Sequence, residues 1–155
     1  MNTVLVLSPH PDDGWLSSGA TIARFLEEKK EVYYAIFSWT DQGFTWQEIQ
    51  NALDRLGIKR SNVYMFDYKV RNFPEQRQQI LEDLIKLREK LDPDLILCHS
   101  FKDRHEDHEV VAKEAFRAFK EQSIWGYELP WNMRDFKSDI FVSLTRKQME
   151  KKISA

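Results

Sequence analysis

The 155-residue chain reads as an α/β protein, a mostly parallel sheet with helices on both faces. Three observations point there. Strand-like apolar runs alternate with helical patterns along the chain. The runs Val4-Leu5-Val6-Leu7 and Leu95-Ile96-Leu97-Cys98 are continuously apolar, as strands buried on both faces are. Turn and capping residues mark several of the switches between the two patterns.

The elements follow in order. Thr3–Ser8 is a buried strand with β-branched residues. Residues 18–30 form a helix with Ile22, Phe25 and Leu26 on one face. Residues 31–38 are a second strand, and Asp41-Gln42-Gly43 is a turn. A helix over 45–56 takes Thr45 as N-cap, Glu48 as the second half of a capping box and Gly57 as its C′ residue. Residues 62–66 are a short strand. Residues 74–91 are a long helix stopped by Asp92-Pro93, and residues 94–99 are the fourth strand. A helix over 107–120 is capped by Asp107. Strands over 124–127 and 140–144 and a helix from Arg146 onward complete the series.

Composition narrows the function. The hydrophobic fraction of 42% and charged fraction of 31% are those of an ordinary globular domain, and 155 residues suit one domain with a single core. A net charge of −2 supplies no global field for nucleic acid or a membrane surface. No apolar stretch approaches the length of a membrane span, and no secretory signal is legible, so a cytoplasmic protein is expected. Cys98 is the only cysteine, which excludes an intrachain disulfide and a cysteine-rich zinc site. The chain stops within a helical pattern, the expectation for a single domain cut short at its C-terminus.

The chemistry concentrates at two strand ends. Ser8-Pro9-His10-Pro11-Asp12-Asp13 follows the first apolar run, and Asp103-Arg104-His105-Glu106-Asp107-His108 lies just beyond the fourth strand. All four histidines, His10, His99, His105 and His108, lie in or beside these segments. In a parallel sheet, carboxyl ends of strands share one edge, where ligands bind. A catalytic zinc site takes three protein ligands and leaves one position open. His10 and Asp13, three apart in a turn, and His108 form such a set, which also suits ferrous iron or another divalent metal. Asp12, next to Asp13, is placed to take a proton from an attacking water. His105, one turn before His108, is placed to stabilise an oxyanion or protonate a leaving amine. Asp103 or Asp107 is placed to hold the ring of His105 or His108 through its other nitrogen. His99 reads as a packing or supporting residue at a strand end.

These motifs resemble a known family. His10-Pro11-Asp12-Asp13 with His105-Glu106-Asp107-His108 resembles the paired motifs of the PIG-L/LmbE-like deacetylases. Thr40-Asp41-Gln42-Gly43, the helix with Glu48, Ala52 and Leu56-Gly57, the approach Pro93-Asp94 and Asp103, and Gly126-Tyr127-Glu128-Leu129-Pro130-Trp131 extend the resemblance over nearly the whole chain. It implies a Rossmann-like fold and hydrolysis of an N-acetyl group from an amino sugar or its conjugate. It implies zinc on His10, Asp13 and His108, with Asp12 as base and His105 as its electrophilic or acid partner. Three departures stand out. Gly14 replaces the usual Glu, Thr45 stands where an Arg often contacts substrate, and the chain ends before a later Ser-Gln segment.

The expectation is therefore a zinc-dependent N-deacetylase acting on an N-acetylglucosamine-type substrate. Trp15, Tyr127, Glu128 and Trp131 are candidate sugar contacts, since aromatic faces stack on sugars and carboxylates bind hydroxyls. A phosphoester hydrolase would want a cationic clamp, for which Arg71 and Arg104 are the candidates. The rival readings are a catalytically impaired sugar-binding protein that keeps the metal, and another metal-dependent amidase. Homo-oligomers are compatible with the family, and no interface is legible in the sequence.

Overall fold

Alternation along single strands sets the two layers of packing. In β1 (Thr3–Ser8), Leu5 and Leu7 point into one core while Val4 and Val6 point into the other. The same division recurs in β4 (Leu95–His99), where Ile96 and Cys98 oppose Leu95 and Leu97. The continuous apolar run thus has a simple cause: both faces of the sheet are covered. The computed structural model describes residues 2–40, 43–135 and 137–155.

The remaining elements are α1 (Asp13–Glu27), β2 (Glu31–Ile36), α2 (Trp46–Leu56), β3 (Val63–Met65), α3 (Phe73–Leu91), α4 (Glu106–Ala118), β5 (Ser123–Tyr127) and α5 (Arg146–Ser154). The five strands are parallel in the order β3-β2-β1-β4-β5. Helices α3 and α4 pack together, with Phe73, Leu84, Val111 and Ala115 in the core on their side of the sheet. Helices α1 and α2 cover the other face through Ile22, Phe25, Ile49 and Leu53, and α5 packs against both. The strand order reverses between β1 and β4, so a crevice opens above their carboxyl ends.

Several local expectations hold. Thr45 and Glu48 form a capping box on α2, and Gly57 ends that helix in the left-handed region at φ 97°. Asp92 terminates α3 at φ 42°. Others are corrected. Helix α1 starts at Asp13 rather than residue 18, because its first-turn N–H groups find acceptors outside the helix. Gly14 N donates to Ser8 Oγ at 3.0 Å and Trp15 N to the Tyr34 hydroxyl at 3.1 Å. The cap of α4 is His105, whose Nδ1 accepts Asp107 N, and not Asp107. Residues 140–144 form no strand. Ile140 and Phe141 are exposed, and an apolar extended run becomes a strand only where a neighbouring ladder accepts it. Asp41 and Gln42 of the expected turn lie outside the described residues. Among the described residues, no helix is long and apolar enough to cross a membrane.

Candidate metal centre

The first motif leaves β1 and enters α1, and the second leaves β4 and enters α4. Both therefore sit at the crevice where the strand order reverses. The side chains meet across it. His10 Nδ1 lies 3.3 Å from Asp13 Oδ2, His108 Nε2 lies 3.2 Å from the same oxygen, and the two nitrogens are 3.2 Å apart. Neighbouring donors of a tetrahedral site with bonds of about 2.0–2.1 Å are about 3.3–3.4 Å apart, so this triangle fits one face of such a site. Two further overlapping groups have donor atoms close enough to share an ion: His10, His105 and His108, and Asp13, His99 and His108. The donor set of imidazole and carboxylate suits a divalent metal.

Buried carboxylates hold the outer nitrogens. His10 Nε2 is 3.1 Å from Asp107 Oδ2, and His108 Nδ1 is 2.9 Å from Asp103 Oδ2. With the outer N–H groups donated to these acids, the inner nitrogens are the ones that neutral rings would offer to a metal. Asp103 holds His108 as the motif suggested. Asp107, however, holds His10 across the crevice rather than a histidine of its own helix. Its carboxylate also accepts Arg71 N at 2.7 Å and Phe73 N at 3.3 Å, which ties the start of α3 to the centre.

The charges are strongly coupled. Burial disfavours a charged His10, but the carboxylates of Asp107 and Asp13 outweigh it and raise its pKa to about 9. His108 is raised in the same way, against its burial, by Asp103 and Asp13. Burial pushes the Asp13 carboxyl up, yet His10, His108 and His99 hold it well below the usual range. Asp103 is likewise lowered by His108 and His99, and Asp107 by His10 and the Arg71 N–H, each against burial. Asp12 differs: burial and then the charge of Asp13 raise it. His105 is lowered by burial and by the neighbouring histidines.

Asp12 and His105 are half-buried at the rim of this cluster. His105 stacks on His108 with ring centroids 4.4 Å apart and meets His10 edge-on at 4.9 Å. Since its Nδ1 accepts the Asp107 N–H, neutral His105 carries its proton on Nε2, an available donor. His99, 1% exposed, stacks on His108 at 3.7 Å. Its nitrogens approach Asp103 Oδ2 at 3.1 Å and Asp13 Oδ2 at 3.4 Å, but the angles suit neither contact for a hydrogen bond.

Of the candidate sugar contacts, Tyr127 and Glu128 share one cavity, while Trp15 and Trp131 do not line it. Trp15 is 6% exposed and stacked on Tyr34, and Tyr127 is 7% exposed with its hydroxyl donating to Leu7 O. Both rings belong to the core, and Tyr127 also lines a cavity beside β5. Trp131 is exposed, as is Arg71, while Glu128 lines the same cavity, of about 460 Å³. That cavity reaches His99 but none of His10, Asp12, Asp13, His105 or His108. Sequence reasoning missed Ser8 and Tyr34, which hold the first motif, and Asn132, whose Nδ2 is 3.4 Å from His108 Nδ1. Ser8 adjoins the motif and was open to suspicion, whereas nothing local marks Tyr34 or Asn132.

An α/β sheet with a metal-competent His/Asp centre at its switch point is the class of protein defined so far. Residues 5–119 match the family model described as "PIG-L: GlcNAc-PI de-N-acetylase", and the chain belongs to that family. The Escherichia coli (strain K12) protein named "Uncharacterized deacetylase YaiS" is 26% identical over 168 residues, covering 98% of this chain and 87% of the relative. Two solved structures share the fold. The N,N'-diacetylchitobiose deacetylase from Pyrococcus horikoshii superposes with a TM-score of 0.76 at 20% identity, covering 99% of this chain and 68% of its own. The zinc-inhibited form of teicoplanin deacetylase Orf2 gives 0.74 at 16% identity, covering 97% and 81%.

Proposed function

We propose that this chain is a zinc-dependent N-deacetylase that hydrolyses the acetamide of an N-acetylglucosamine-type sugar or its conjugate. The observation that carries the reading is the triangle of His10 Nδ1, Asp13 Oδ2 and His108 Nε2, with sides of 3.2–3.3 Å and two carboxylates behind it. Family membership and the deacetylase names of YaiS and the chitobiose and teicoplanin enzymes support it. Zinc bound by the three residues would polarise the acetamide carbonyl and lower the pKa of a water to about 7.

The chain's own groups do the rest. Asp12 takes the proton from the attacking water, a role suited to a carboxylate whose pKa is raised by burial and by Asp13. His105 Nε2–H donates to the carbonyl oxygen as it gains charge. A proton then passes to the departing amine, giving acetate and a free amino sugar. Asp107 and Asp103 keep His10 and His108 in one tautomer throughout. Ferrous iron is the alternative metal for this donor set.

The test is acetate release from a panel of N-acetylglucosamine conjugates, using metal-stripped protein reloaded with zinc and Asp12→Asn as control. Zinc-dependent release that the substitution abolishes is expected. Tight zinc binding without release from any conjugate would refute the deacetylase reading and leave a sugar-binding protein.

A further inference from the structure

We infer that Tyr34 positions the loop carrying His10, Asp12 and Asp13, its phenol occupying the space that any side chain at position 14 would need. The inference rests on the reading of His10, Asp13 and His108 as metal ligands. The hydrogen bonds of Tyr34 go to Ser8, Pro11 and Trp15 rather than to those side chains.

The turn from β1 into α1 lacks the usual device for holding a helix start. Asp12 occupies the N-cap position, yet its side chain makes no cap hydrogen bond. The first-turn N–H groups would be left without acceptors. Two residues from outside the helix supply them: Ser8 Oγ accepts Gly14 N, and the Tyr34 hydroxyl accepts Trp15 N. Ser8 Oγ in turn donates to His10 O. The Tyr34 oxygen lies 3.0 Å from both Ser8 Oγ and Pro11 O, so its proton has an acceptor on the far side of the loop. One buried phenol therefore grips the loop on both sides of the Asp12-Asp13 pair.

The register explains why Tyr34 can do this. It pairs with Val6 on the adjacent strand and projects into the α1 side of the sheet. From there it reaches beneath the first turn of α1, where Gly14 leaves room. A Cβ on Gly14 would stand 2.4 Å from the Tyr34 hydroxyl oxygen, 2.8 Å from Cζ and 2.9 Å from Cε2. Real Cβ atoms do not approach so closely, and a fully buried ring cannot swing away. Gly14 and Tyr34 thus form one unit. The glycine found where the resemblance expects Glu is the condition for the phenol to reach the loop.

Tyr34→Phe keeps the ring and removes the grip, leaving Trp15 N unpaired and Pro11 O with only the long 3.4 Å contact from Ser8 Oγ. Metal-stripped wild type and variant would be titrated with cobalt, read by visible absorption, and with zinc against a chromophoric chelator. Tyr34→Phe is expected to weaken metal binding about tenfold, the scale for residues that orient ligands, and to shift the cobalt bands, with far-ultraviolet circular dichroism unchanged. Gly14→Ala is expected to weaken binding as well, and to be less harmful in a Tyr34→Leu background, where the obstructing ring atoms are gone. Unchanged affinity and cobalt spectrum in Tyr34→Phe would overturn the inference, as would a Gly14→Ala protein that binds metal like wild type. His108→Ala is the control for the underlying reading. If it binds cobalt as wild type does, the ligand assignment fails and the inference falls with it.

Discussion

Removing the Asp107 carboxylate should weaken the fold and the metal centre together. Asp107 is fully buried and accepts from Arg71 N, Phe73 N and His10 Nε2. In Asp107→Ala two backbone donors lose their acceptor. A buried unsatisfied donor costs about 1–3 kcal/mol. Phe73 is buried, whereas Arg71 is exposed enough to find water, so about 1–3 kcal/mol is expected. For a chain of this length that lowers Tm by roughly 2–12 °C. His10 also loses the group that fixes its tautomer, which should weaken zinc binding about 10–100-fold. Asp107→Asn divides the contacts. Its amide oxygen can still accept Arg71 N and His10 Nε2 where Oδ2 does, but its Nδ2 then faces Phe73 N, so the cost at Phe73 should remain, while loss of the charge should still weaken zinc. Thermal unfolding and zinc competition with a chelator measure both quantities. Zinc affinity within about twofold of wild type in Asp107→Ala would refute the role assigned to this contact, even if Tm falls.

Four other outcomes are expected. Asp12→Asn should keep zinc but lose about 10²–10⁴-fold in acetate release, measured at saturating substrate. Asp94 accepts Asn2 N at 2.7 Å and Thr3 N at 2.9 Å, and these N–H groups lower its pKa. Its contribution is present above the unfolded pKa of about 3.9 and is lost as pH falls through the lower folded value. Asp94→Ala should therefore melt below wild type at pH 7, with the gap closing in scans below about pH 4. Gly57→Ala should cost about 1–2 kcal/mol in urea unfolding, because φ is 97° while the nearest atom to a new Cβ is an unstrained 3.6 Å away. Burial pushes the Cys98 thiol up to about 12, so a thiol reagent should label it only after denaturation.

The start of α4 shows how economically the centre is built. His105 caps the helix, Asp107 in its first turn reaches His10, and His108 supplies the inner nitrogen toward Asp13. The helix that fixes these three residues is anchored by Val111 and Ala115 in the core, so the spacing of the motif is held by packing well away from the chemistry.

Much was legible in the sequence because it is local. The apolar runs at 4–7 and 95–98 marked strands buried on both faces, Thr45 with Glu48 marked a capping box, and the His/Asp clusters marked a metal-competent edge. These signals depend on residues a few positions apart. What the tertiary structure alone decided is pairing across the crevice. Asp107 and His10 are 97 positions apart, and Tyr34 meets Gly14 and Trp15 from a neighbouring strand. Trp15 looks like a sugar platform in sequence, yet helix packing turns it inward against Tyr34. Residues 140–144 have the composition of a strand but no ladder beside them. Composition determines what a segment can form. Which partner it meets depends on the strand order that brings β1 beside β4.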